Sequence, residues 1–555
     1  MIPLFSNNIP ISVPAIHQVM PMDKGESIPL LSNRIPLRES VKVMFLGYGA
    51  VAKCSWNYFN QFFVIKPDQV YLVDMAPSVF YGPGVDVIPA DHKIVLSVDA
   101  TNFVSLLNQL RFVEGDIIID LTFNTPSYFF IQTCFMKGLH YINTSIEDGQ
   151  DEFGGGSIDH QQQKVKKIYE QCKRDTQIRS CVLTECGQNP GLIQHYVLYA
   201  MNRMYAHAHP NDPNRHNEYR RNVLTSLIDE YKIGSILMSE RDQIKTTRPM
   251  NPDVMYNTWC VAGFIAEAFD YAELVHGTRN PYIQPKFPIP DINSGLMKLY
   301  APFQNQGKEV IFMNESGLHC TLPSIAPVLR NGLLGFEMFR GQLIHHGEIF
   351  ELGNYFGEKA PFMTYVYQSS PYINKSLEKV MKTNKYEDHD AIMCHITTKP
   401  ESYKVMDNIN IPFDQRATGF DSIGATFLCG TKNVERIFWC GSILSDTDPI
   451  NPLFTPTVVQ VAAGVLSGLS YILEHNKPGL YQPTDIPTLY MLGKALPLLG
   501  FFACMEITDK FKQPFNYKCE QDENASNDPK RCKNKTPKKH KRHTSRVRKS
   551  KRLIK

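Results

Sequence analysis

One segment constrains the fold of this chain more than any other, and it reads VKVMFLGYGAVAKCSWNYF from Val41 onward. An apolar, β-forming run ends in a glycine turn and continues into a helix-compatible segment, which is the order of a dinucleotide-binding βαβ unit. Gly47 permits the tight turn, Gly49 lets a pyrophosphate approach the backbone, and Ala52 keeps the helix close to the strand. The pyrophosphate would lie at the helix N-terminus. The residues predicted to bind the cofactor here are Gly47, Gly49, Ala50, Val51 and Ala52.

A carboxylate that suits a ribose follows in the next predicted strand. The segment QVYLVDMAP places Asp74 at the carboxyl end of that strand, where its oxygens can accept hydrogen bonds from both ribose hydroxyls. No arginine follows Asp74 directly, so a 2′-phosphate would be repelled. The sequence therefore predicts NAD rather than NADP as the cofactor.

Two further segments continue the alternation of strands and helices. Asp116–Asn124 (DIIIDLTFN) and Leu139–Thr144 (LHYINT) read as buried parallel strands. Because ligands bind outside the carboxyl ends of such strands, the topology places Asn124 and Glu147 near the nicotinamide end of the cofactor. Alternatively, Asn124 belongs to a turn that starts a helix. The pattern predicts an α/β fold with a Rossmann-type, doubly wound parallel sheet.

The segment Asn257–Gly277 (NTWCVAGFIAEAFDYAELVHG) combines a tryptophan with acidic residues and contains no lysine or arginine. An aromatic face beside unpaired carboxylates is what a site for a small organic cation requires. On a helix, Trp259, Gly263 and Glu267 would lie along one side, and a ligand would fit over the glycine. The alternative is that Trp259 packs in the core and the acids form a solvated face. Taken alone, the segment favours this structural alternative.

The distribution of charge favours a cationic ligand. Residues 530–555 contain 14 lysines and arginines and no acid, so the formal net charge of +3 conceals a net charge of −11 on the rest of the chain. An acidic body concentrates cations near its surface. The basic tail has the composition of a disordered polycation. It is interpreted as a nuclear-type address, a contact to nucleic acid or another polyanion, a contact to a membrane surface, or a solvated extension.

Other features of the composition indicate the class of protein. The chain has no run of about 18 apolar residues, which predicts that it does not span a membrane, and its N-terminus lacks the pattern of a signal peptide. The 13 cysteines are scattered without C-x-x-C spacing. Free thiols in a reducing compartment fit this pattern, and structural zinc does not. We therefore expect a cytoplasmic protein without a metal site.

Three more segments place polar side chains at defined positions. In CGQNPGL, Asn189 precedes a proline and is forced out of the helical region, so its amide extends from a fixed turn. In SERDQ, Glu240 either serves a site or pairs with Arg241 or Arg248, which is the usual state of an isolated acid. In HHGE, His346 and the histidine before it point in different directions on any regular element, so a bidentate metal site is not expected.

In their order and spacing, these segments resemble the bacterial-type homospermidine synthases, which are relatives of the saccharopine-reductase-like enzymes. The match runs from Val41 to Ile507. The blocks that carry it are FLGYGAVA, INTSIED, CGQNPGL, SERDQ, NTWCVAGFIAE and the HHGE segment. Their common order makes this resemblance far more specific than a glycine fingerprint alone.

The resemblance implies roles for individual residues. Trp259 resembles the family's cation–π tryptophan, and Glu267 and Glu240 resemble its active-site glutamates. Asp421, in GFDSIG, resembles a further acid that binds substrate, and Asn124 stands where some members carry Asp, so one negative charge is missing there. The other positions implied as catalytic are Glu147, Asn189 and His346.

The family converts two putrescines into homospermidine with release of ammonia and uses NAD as a bound, recycled cofactor. Spermidine also serves as aminobutyl donor, with release of 1,3-diaminopropane. The resemblance implies the same activity, diamine or polyamine ligands, and a homodimer. One alternative is an NAD(P)-dependent reductase of the saccharopine or carboxyspermidine type, whose carboxylate substrates require arginines or lysines in the pocket. Another is a non-catalytic protein that binds polyamines or nucleic acid.

Together these patterns predict a Rossmann-type, doubly wound parallel sheet with an inserted α+β domain, to which the resemblance assigns substrate binding and dimerisation. The predicted parts are an irregular N-terminal extension (1–40), an NAD-binding domain (41–185), the substrate and dimerisation domain (186–440), C-terminal helices that pack back on the cofactor domain (441–515) and a disordered basic tail (516–555).

Overall fold

Strands and helices alternate along the first part of the chain, and antiparallel strands prevail in the second. The computed structural model describes residues 20–21, 28–123, 125–147, 158–269, 271–282, 297–299, 308–316, 321–330, 333–386, 389–398, 402–446, 453–507 and 511. Asn124 and the predicted basic tail (516–555) lie outside these described residues. The described residues all belong to one compact unit, Met1–Tyr517.

The elements are numbered in chain order. The strands are β1 (Met20–Pro21), β2 (Ile35–Pro36), β3 (Val43–Leu46), β4 (Phe63–Val64), β5 (Val70–Asp74), β6 (Lys93–Val95), β7 (Ile117–Asp120), β8 (His140–Asn143), β9 (Cys181–Leu183), β10 (Ile233–Asp242), β11 (Met255–Asn257), β12 (Tyr271–Gly277), β13 (Met297–Leu299), β14 (Lys308–Ser316), β15 (Thr321–Arg330), β16 (Leu333–Ile344), β17 (Phe362–Gln368), β18 (Tyr403–Val405), β19 (Phe420–Cys429), β20 (Arg436–Ser445), β21 (Gly479–Tyr481) and β22 (Phe501–Ile507). The helices are α1 (Ala50–Phe62), α2 (Phe103–Gln109), α3 (Ser127–Lys137), α4 (Ile158–Asp175), α5 (Leu192–Ala208), α6 (Arg221–Tyr231), α7 (Val261–Phe269), α8 (Gly347–Phe356), α9 (Pro371–Asn384), α10 (His389–Thr398), α11 (Pro456–His475) and α12 (Thr488–Ala495).

A parallel sheet forms the cofactor side of the fold. Its strands run in the order β21-β9-β8-β7-β3-β5-β6, and every neighbouring pair is parallel. The central strand β3 is buried along its whole length, with Val43 and Phe45 in one apolar cluster and Met44 and Leu46 in another. Burial on both faces explains why this strand reads as a continuous apolar run. β5 and β7 flank β3 on opposite sides, which creates the crevice where such sheets bind ligands.

The turn from β3 to α1 has the backbone that the glycine motif predicts. Gly47 has a φ of 78°, and a Cβ atom at this position would lie 2.7 Å from the carbonyl oxygen of Leu121. A larger residue would therefore be strained and would also clash with the end of β7. α1 begins at Ala50, with Gly49 as its N-cap residue.

A second, mixed sheet carries the segments of the substrate side. Its strands run in the order β1-β22-β20-β19-β10-β17-β12-β14-β13, and the β15–β16 hairpin joins it where β16 pairs with β17. β10 lies between β17, to which it is parallel, and β19, to which it is antiparallel. Successive side chains of a strand point to opposite faces, so Glu240 and Asp242 share one face and Arg241 occupies the other. The two sheets confirm the predicted α/β fold with a second domain.

The C-terminal elements contribute to both sheets. β21 extends the parallel sheet, whereas β20 and β22 extend the mixed one. α11 packs against α1. Among the described helices, α11 has the length and composition to cross a membrane, but 89% of its apolar window is buried inside the fold. Since one C-terminal segment serves two sheets, the predicted domain boundaries stay predictions.

Candidate active site

The predicted cofactor cradle lies at the crevice beside β3. The Asp74 carboxylate accepts hydrogen bonds from the backbone N–H groups of Tyr48, at 2.8 Å, and Ala76, at 2.9 Å. A Cβ atom at Gly49 would meet nothing within 4 Å, so there is open space at the start of α1. The first turn of α1 carries no acidic residue, and its N-terminal N–H groups receive no side-chain cap. These features fit a dinucleotide, with its pyrophosphate on the helix N-terminus and its ribose at Asp74.

A lysine that sequence reasoning missed lies at the ribose end of this cradle. Burial lowers the pKa of Lys53 to about 8, although the carboxylates of Asp407 and Asp74 oppose that change. The Lys53 ammonium lies over the ring of Tyr81, 3.5 Å from its centroid. Asp407, from the substrate side, also accepts a hydrogen bond from the Tyr81 hydroxyl at 3.4 Å. A cation therefore stands beside the predicted ribose acid.

Glu240 connects the two sheets. It is 4% exposed, and its Oε2 accepts hydrogen bonds from Asn189 Nδ2 at 2.7 Å and from the Tyr365 hydroxyl at 2.8 Å. Asn189 follows β9 at the carboxyl end of the parallel sheet, so the predicted turn amide meets the predicted glutamate. The alternative pairing of Glu240 with an arginine is wrong, because Arg241 points to the other strand face, where it binds Gln368, and Arg248 bonds elsewhere.

His346 lies between two carboxylates. Its Nε2 is 3.3 Å from Glu267 Oε1, and its Nδ1 is 3.1 Å from Glu348 Oε2. Its ring stacks on Tyr365 with the centroids 4.0 Å apart. Burial works to lower the pKa of His346, but Glu348 and Glu267 raise it well above its usual value. The imidazole is thus held as a cation that donates from both nitrogens.

Trp259 lies before α7 and not within it as predicted. α7 begins at Val261, so Trp259 lies in a bend before the helix and not along one helical face with Glu267. The indole still lies against Gly263, where a Cβ atom would come within 2.8 Å of its ring. Its Nε1 donates to the Tyr367 hydroxyl at 3.4 Å. The predicted neighbourhood of tryptophan and glycine is therefore present, although the predicted helical spacing is wrong.

The alternative that the acids after Trp259 form a solvated face is wrong for Glu267 and Glu273, and its third acid, Asp270, lies outside the described residues. Glu273 is 4% exposed in β12, and the side chain of Glu267 is 20% exposed. Glu147 follows β8, and its Oε1 accepts a hydrogen bond from Ser145 at 2.7 Å. Burial raises the pKa of Cys260 to about 11, and the nearby carboxylates of Glu147 and Glu267 contribute to this. Glu147 therefore lies near Cys260, which directly precedes α7.

A cross-strand pair of acids extends the site along β10. Asp242 lies directly opposite Asp421 of β19. The Asp242 oxygens accept from the backbone N–H of Ile244 at 2.8 Å and from the Thr258 hydroxyl at 2.7 Å. Asp421 Oδ2 accepts from the Thr457 hydroxyl at 2.8 Å. Burial raises the pKa of Asp242 to about 7, and burial together with the neighbouring carboxylates raises that of Asp421 well above its usual value.

Sequence reasoning missed Asp242 and Glu348. The signal for Asp242 was its spacing of two residues from Glu240 on a strand, which places both on one face. Glu348 stands in the first turn of α8, where an acid usually serves the helix dipole. Instead, it is fully buried against His346. Asn124, the other predicted substrate residue, lies outside the described residues.

The electrostatics of this cluster favour an organic cation. Five largely buried carboxyl groups lie together with one imidazole, and within the described parts of the chain no lysine or arginine pairs with any of them. Buried charges require partners, because desolvation is costly. A ligand with two ammonium groups would provide those partners. The five carboxyl groups belong to Glu240, Asp242, Glu267, Glu348 and Asp421.

Comparisons with known proteins agree with the fold and with the predicted resemblance. Residues 43–180 match the protein family described as "Saccharopine dehydrogenase NADP binding domain". The homospermidine synthase of Mesorhizobium japonicum is 23% identical over 420 residues, which cover 73% of this chain and 78% of that protein. The homospermidine synthase of Blastochloris viridis is 22% identical over 473 residues, which cover 82% and 89%.

A solved structure has the same architecture. The homospermidine synthase of Legionella pneumophila, solved in complex with NAD, matches with a TM-score of 0.64 at 20% identity, over 92% of this chain and 97% of the other. At this identity the likeness shows the fold. The resemblance that the sequence blocks indicated is confirmed, as is the prediction of a nicotinamide-dinucleotide domain.

Proposed function

We propose that this chain, a relative of the homospermidine synthases, transfers the 4-aminobutyl group of one putrescine to a second putrescine. The products are homospermidine and ammonia, and NAD is recycled. Spermidine serves as an alternative donor, with 1,3-diaminopropane as the leaving product. One observation carries the proposal: five largely buried carboxyl groups lie with a single imidazole and no paired lysine or arginine in the described parts of the chain. A diamine dication supplies the charge that this site lacks.

Different carboxylates anchor the substrate and deprotonate it. One ammonium group must stay charged so that it anchors the diamine, and the other must become a neutral amine before its carbon can lose hydride. Glu267 and Glu348 already hold His346 as a cation, so they favour positive charge at their end of the site. Glu240, which accepts from Asn189 and Tyr365, stands where the two sheets meet. It is our candidate for proton exchange with the reacting nitrogen.

Trp259 contributes its ring face to the developing cation. A ring face within about 6 Å of a desolvated cation stabilises it by on the order of 1 to 2 kcal/mol. The hydrogen bond to Tyr367 and the contact with Gly263 fix the indole beside the acids. A dinucleotide held by the β3–α1 turn and Asp74 would supply the acceptor and donor of hydride for the amine-bearing carbon. The surrounding burial excludes water, which would otherwise hydrolyse the imine.

The choice of cofactor is part of the proposal. Asp74 lies at the end of β5, where a carboxylate accepts from ribose hydroxyls and repels a 2′-phosphate. This favours NAD. Catalytic roles for Glu147 and Asn189 rest on their positions at the carboxyl ends of β8 and β9.

A reductase that acts on carboxylated amino acids fits this site less well. Its substrates would bring further negative charge to a cluster of carboxyl groups. We also propose a cytoplasmic homodimer, on the strength of the resemblance, and light scattering of the purified chain tests its mass.

The deciding experiment separates the polyamines formed when purified protein is incubated with putrescine and NAD. We expect homospermidine, ammonia and no net accumulation of NADH. Glu267→Gln should abolish the product and Trp259→Ala should slow its formation by roughly 5- to 30-fold, while NAD binding persists in both. Glu114→Gln, which removes half of an exposed ion pair with Arg179, is the matched control. No homospermidine from putrescine, or from spermidine plus putrescine, would refute the activity. Full activity in both site variants would refute the site.

A further inference from the structure

The proposed reaction releases one proton in its first half and needs one in its second. The inference below rests on that proposed function. Removing a hydride from a CH2–NH3+ group gives a CH=NH2+ iminium and releases one proton. Exchange of the iminium nitrogen with the second diamine's ammonium gives a secondary iminium and NH4+, with no net change in protons. Return of the hydride to the secondary iminium consumes one proton and gives the secondary ammonium. One proton is therefore released in the first half and required in the second.

We propose that Glu240 and Asp421 hold this proton between their carboxyl groups, and that Asp242 keeps it there. Glu240 is 4% exposed and Asp421 is 1% exposed. Each uses one oxygen for donors from the protein: Glu240 Oε2 accepts from Asn189 and Tyr365, and Asp421 Oδ2 accepts from Thr457. The proton would lie between the two remaining oxygens.

Those remaining oxygens are the geometric basis of the assignment. Glu240 Oε1 and Asp421 Oδ1 are buried, and they meet no hydrogen-bond donor in the described parts of the chain. The Glu240 and Asp421 side chains interact directly, and this interaction is among the causes that raise the pKa of Asp421. Two carboxylates cannot satisfy one another, but a carboxylic acid and a carboxylate can. A single added proton therefore satisfies both buried oxygens at once.

Asp242 lies beside the pair, but its own oxygens are less available to the proton. Both of its oxygens already accept hydrogen bonds, from Ile244 N–H and the Thr258 hydroxyl. It lies directly across the strand pair from Asp421 and two residues from Glu240 on the same face. Burial, followed by the charges of Glu240 and Asp242, raises the pKa of Asp421 well above its usual value. These surroundings therefore favour retention of the proton by the pair once oxidation of the amine has released it.

The other titratable groups that face the pair are less suited to this task. His346 holds its proton between Glu267 and Glu348, so it does not accept another. Burial and the nearby carboxylates raise the pKa values of Tyr365 and Tyr367 well above their usual values, so both keep their hydroxyl protons. Among the groups that the structure describes around the pair, Glu240 and Asp421 therefore offer two buried acceptor oxygens that interact with no other donor.

The test counts protons and hydrides in the same reaction. Full-length protein with bound NAD is mixed with one equivalent of putrescine per site in weak buffer containing phenol red, and NADH is followed at its own absorbance. We expect NADH to form before any proton reaches the dye. Wild-type protein that releases about one proton per NADH would overturn the proposal, because the stoichiometry of oxidation requires that proton to appear somewhere.

Two variants locate the proton. In Asp421→Asn the proton should reach the solvent, about one per NADH, and NADH formation should rise with pH because solvent base must accept it. In Asp242→Asn the pair remains, but part of the proton should be released at high pH. Retention of the whole proton in both variants would overturn the assignment. So would an Asp421→Asn protein that binds NAD yet forms no NADH from pH 6 to 10. If wild-type protein forms no NADH with any diamine, the proposed function itself fails.

Discussion

Glu185 Oε1 lies so close to Gly347 that a Cβ atom added at residue 347 would come within 2.0 Å of it. Glu185 follows β9 of the parallel sheet, and Gly347 begins α8 between His346 and Glu348. Gln162 Nε2 donates to both Glu185 oxygens, at 3.0 and 2.8 Å, and to the Gly347 carbonyl at 3.0 Å. This contact therefore joins the cofactor side to the segment that holds the imidazole.

Gly347→Ala should damage both stability and activity. The new methyl group would displace the Glu185 carboxylate or the start of α8, and Gln162 holds that carboxylate in place. Overpacking of this kind costs about 1 to 3 kcal/mol. We expect a lower urea midpoint and a larger fall in kcat than in NAD affinity, because His346 and Glu348 would shift.

Gly335→Ala is the control for that variant, since its Cβ would lie 3.8 Å from Val328 and needs no adjustment. A double-mutant cycle with Glu185→Ala should recover part of the stability lost in Gly347→Ala, because the clash is relieved. Equal stability of the Gly347→Ala and wild-type proteins would contradict the close contact.

Glu185 should also make stability depend on pH. Burial, and then the neighbouring Glu351, raises the pKa of Glu185 to about 8 from an ordinary value of 4.5. Between these values the folded state binds more protons than the unfolded state, so stability falls as pH rises through this range. The contribution of neutral Glu185 to the free energy of unfolding is fully present below about pH 4.5 and is lost as pH passes about 8. The free energy of unfolding changes by at most about 1.4 kcal/mol per pH unit in this range.

Comparison with Glu185→Gln isolates this effect, because the amide has the same shape and does not titrate. Urea midpoints of both proteins are measured from pH 5 to 9 without substrate. The urea midpoint of Glu185→Gln should rise relative to that of the wild-type protein as pH rises. A difference that stays constant over this range would mean that Glu185 is not buried as the neutral acid.

The sequence predicts the parallel sheet well because local pattern and burial coincide there. Gly47 requires a positive φ, and β3 is buried on both faces, so both features are visible in a short segment. The mixed sheet is different. Its central pairings join β10 to β17 and β19, which lie more than a hundred residues away, and no local pattern specifies that register. Asp242 and Asp421 meet through this register alone.

Local hydrogen bonding explains the error at Trp259. Asn257 Oδ1 accepts from the N–H of Thr258, and Asn257 Nδ2 donates to the carbonyl of Cys260. An asparagine that bonds to its own neighbouring backbone competes with a helix, so α7 starts after it. The helical spacing predicted for Trp259, Gly263 and Glu267 therefore begins two residues before α7 does.

Trp259→Ala and Trp259→Phe should differ in activity. Loss of the ring removes on the order of 1 to 2 kcal/mol of cation stabilisation, which corresponds to roughly a 5- to 30-fold loss of kcat/KM for putrescine. Phenylalanine keeps an aromatic face and should retain most of the activity. Tyr367→Phe, which removes the acceptor of the Trp259 N–H, separates the effect of ring position from that of the ring itself. Equal loss in the alanine and phenylalanine variants would indicate that Trp259 acts by packing alone.

Asp74→Ser should weaken the discrimination against NADP. The carboxylate that would repel a 2′-phosphate is removed, while the N–H groups of Tyr48 and Ala76 and the Lys53 ammonium remain nearby. A hydrogen bond to a charged group contributes about 1.5 to 3 kcal/mol, so NAD affinity should fall by roughly tenfold or more. Titration calorimetry with each dinucleotide measures both changes, and the exposed acid change Asp68→Asn is the control.

Because of Lys53, the NADP affinity that Asp74→Ser gains should depend on pH. Burial lowers the pKa of Lys53 to about 8, so its ammonium is present below that pH and is lost above it. The gain in NADP affinity of Asp74→Ser should therefore be larger at pH 7 than at pH 9, and adding Lys53→Met should remove the difference between the two. A gain that is equal at both pH values would mean that a 2′-phosphate does not reach Lys53. An unchanged ratio of NAD to NADP affinity in Asp74→Ser would instead show that Asp74 does not contact the ribose.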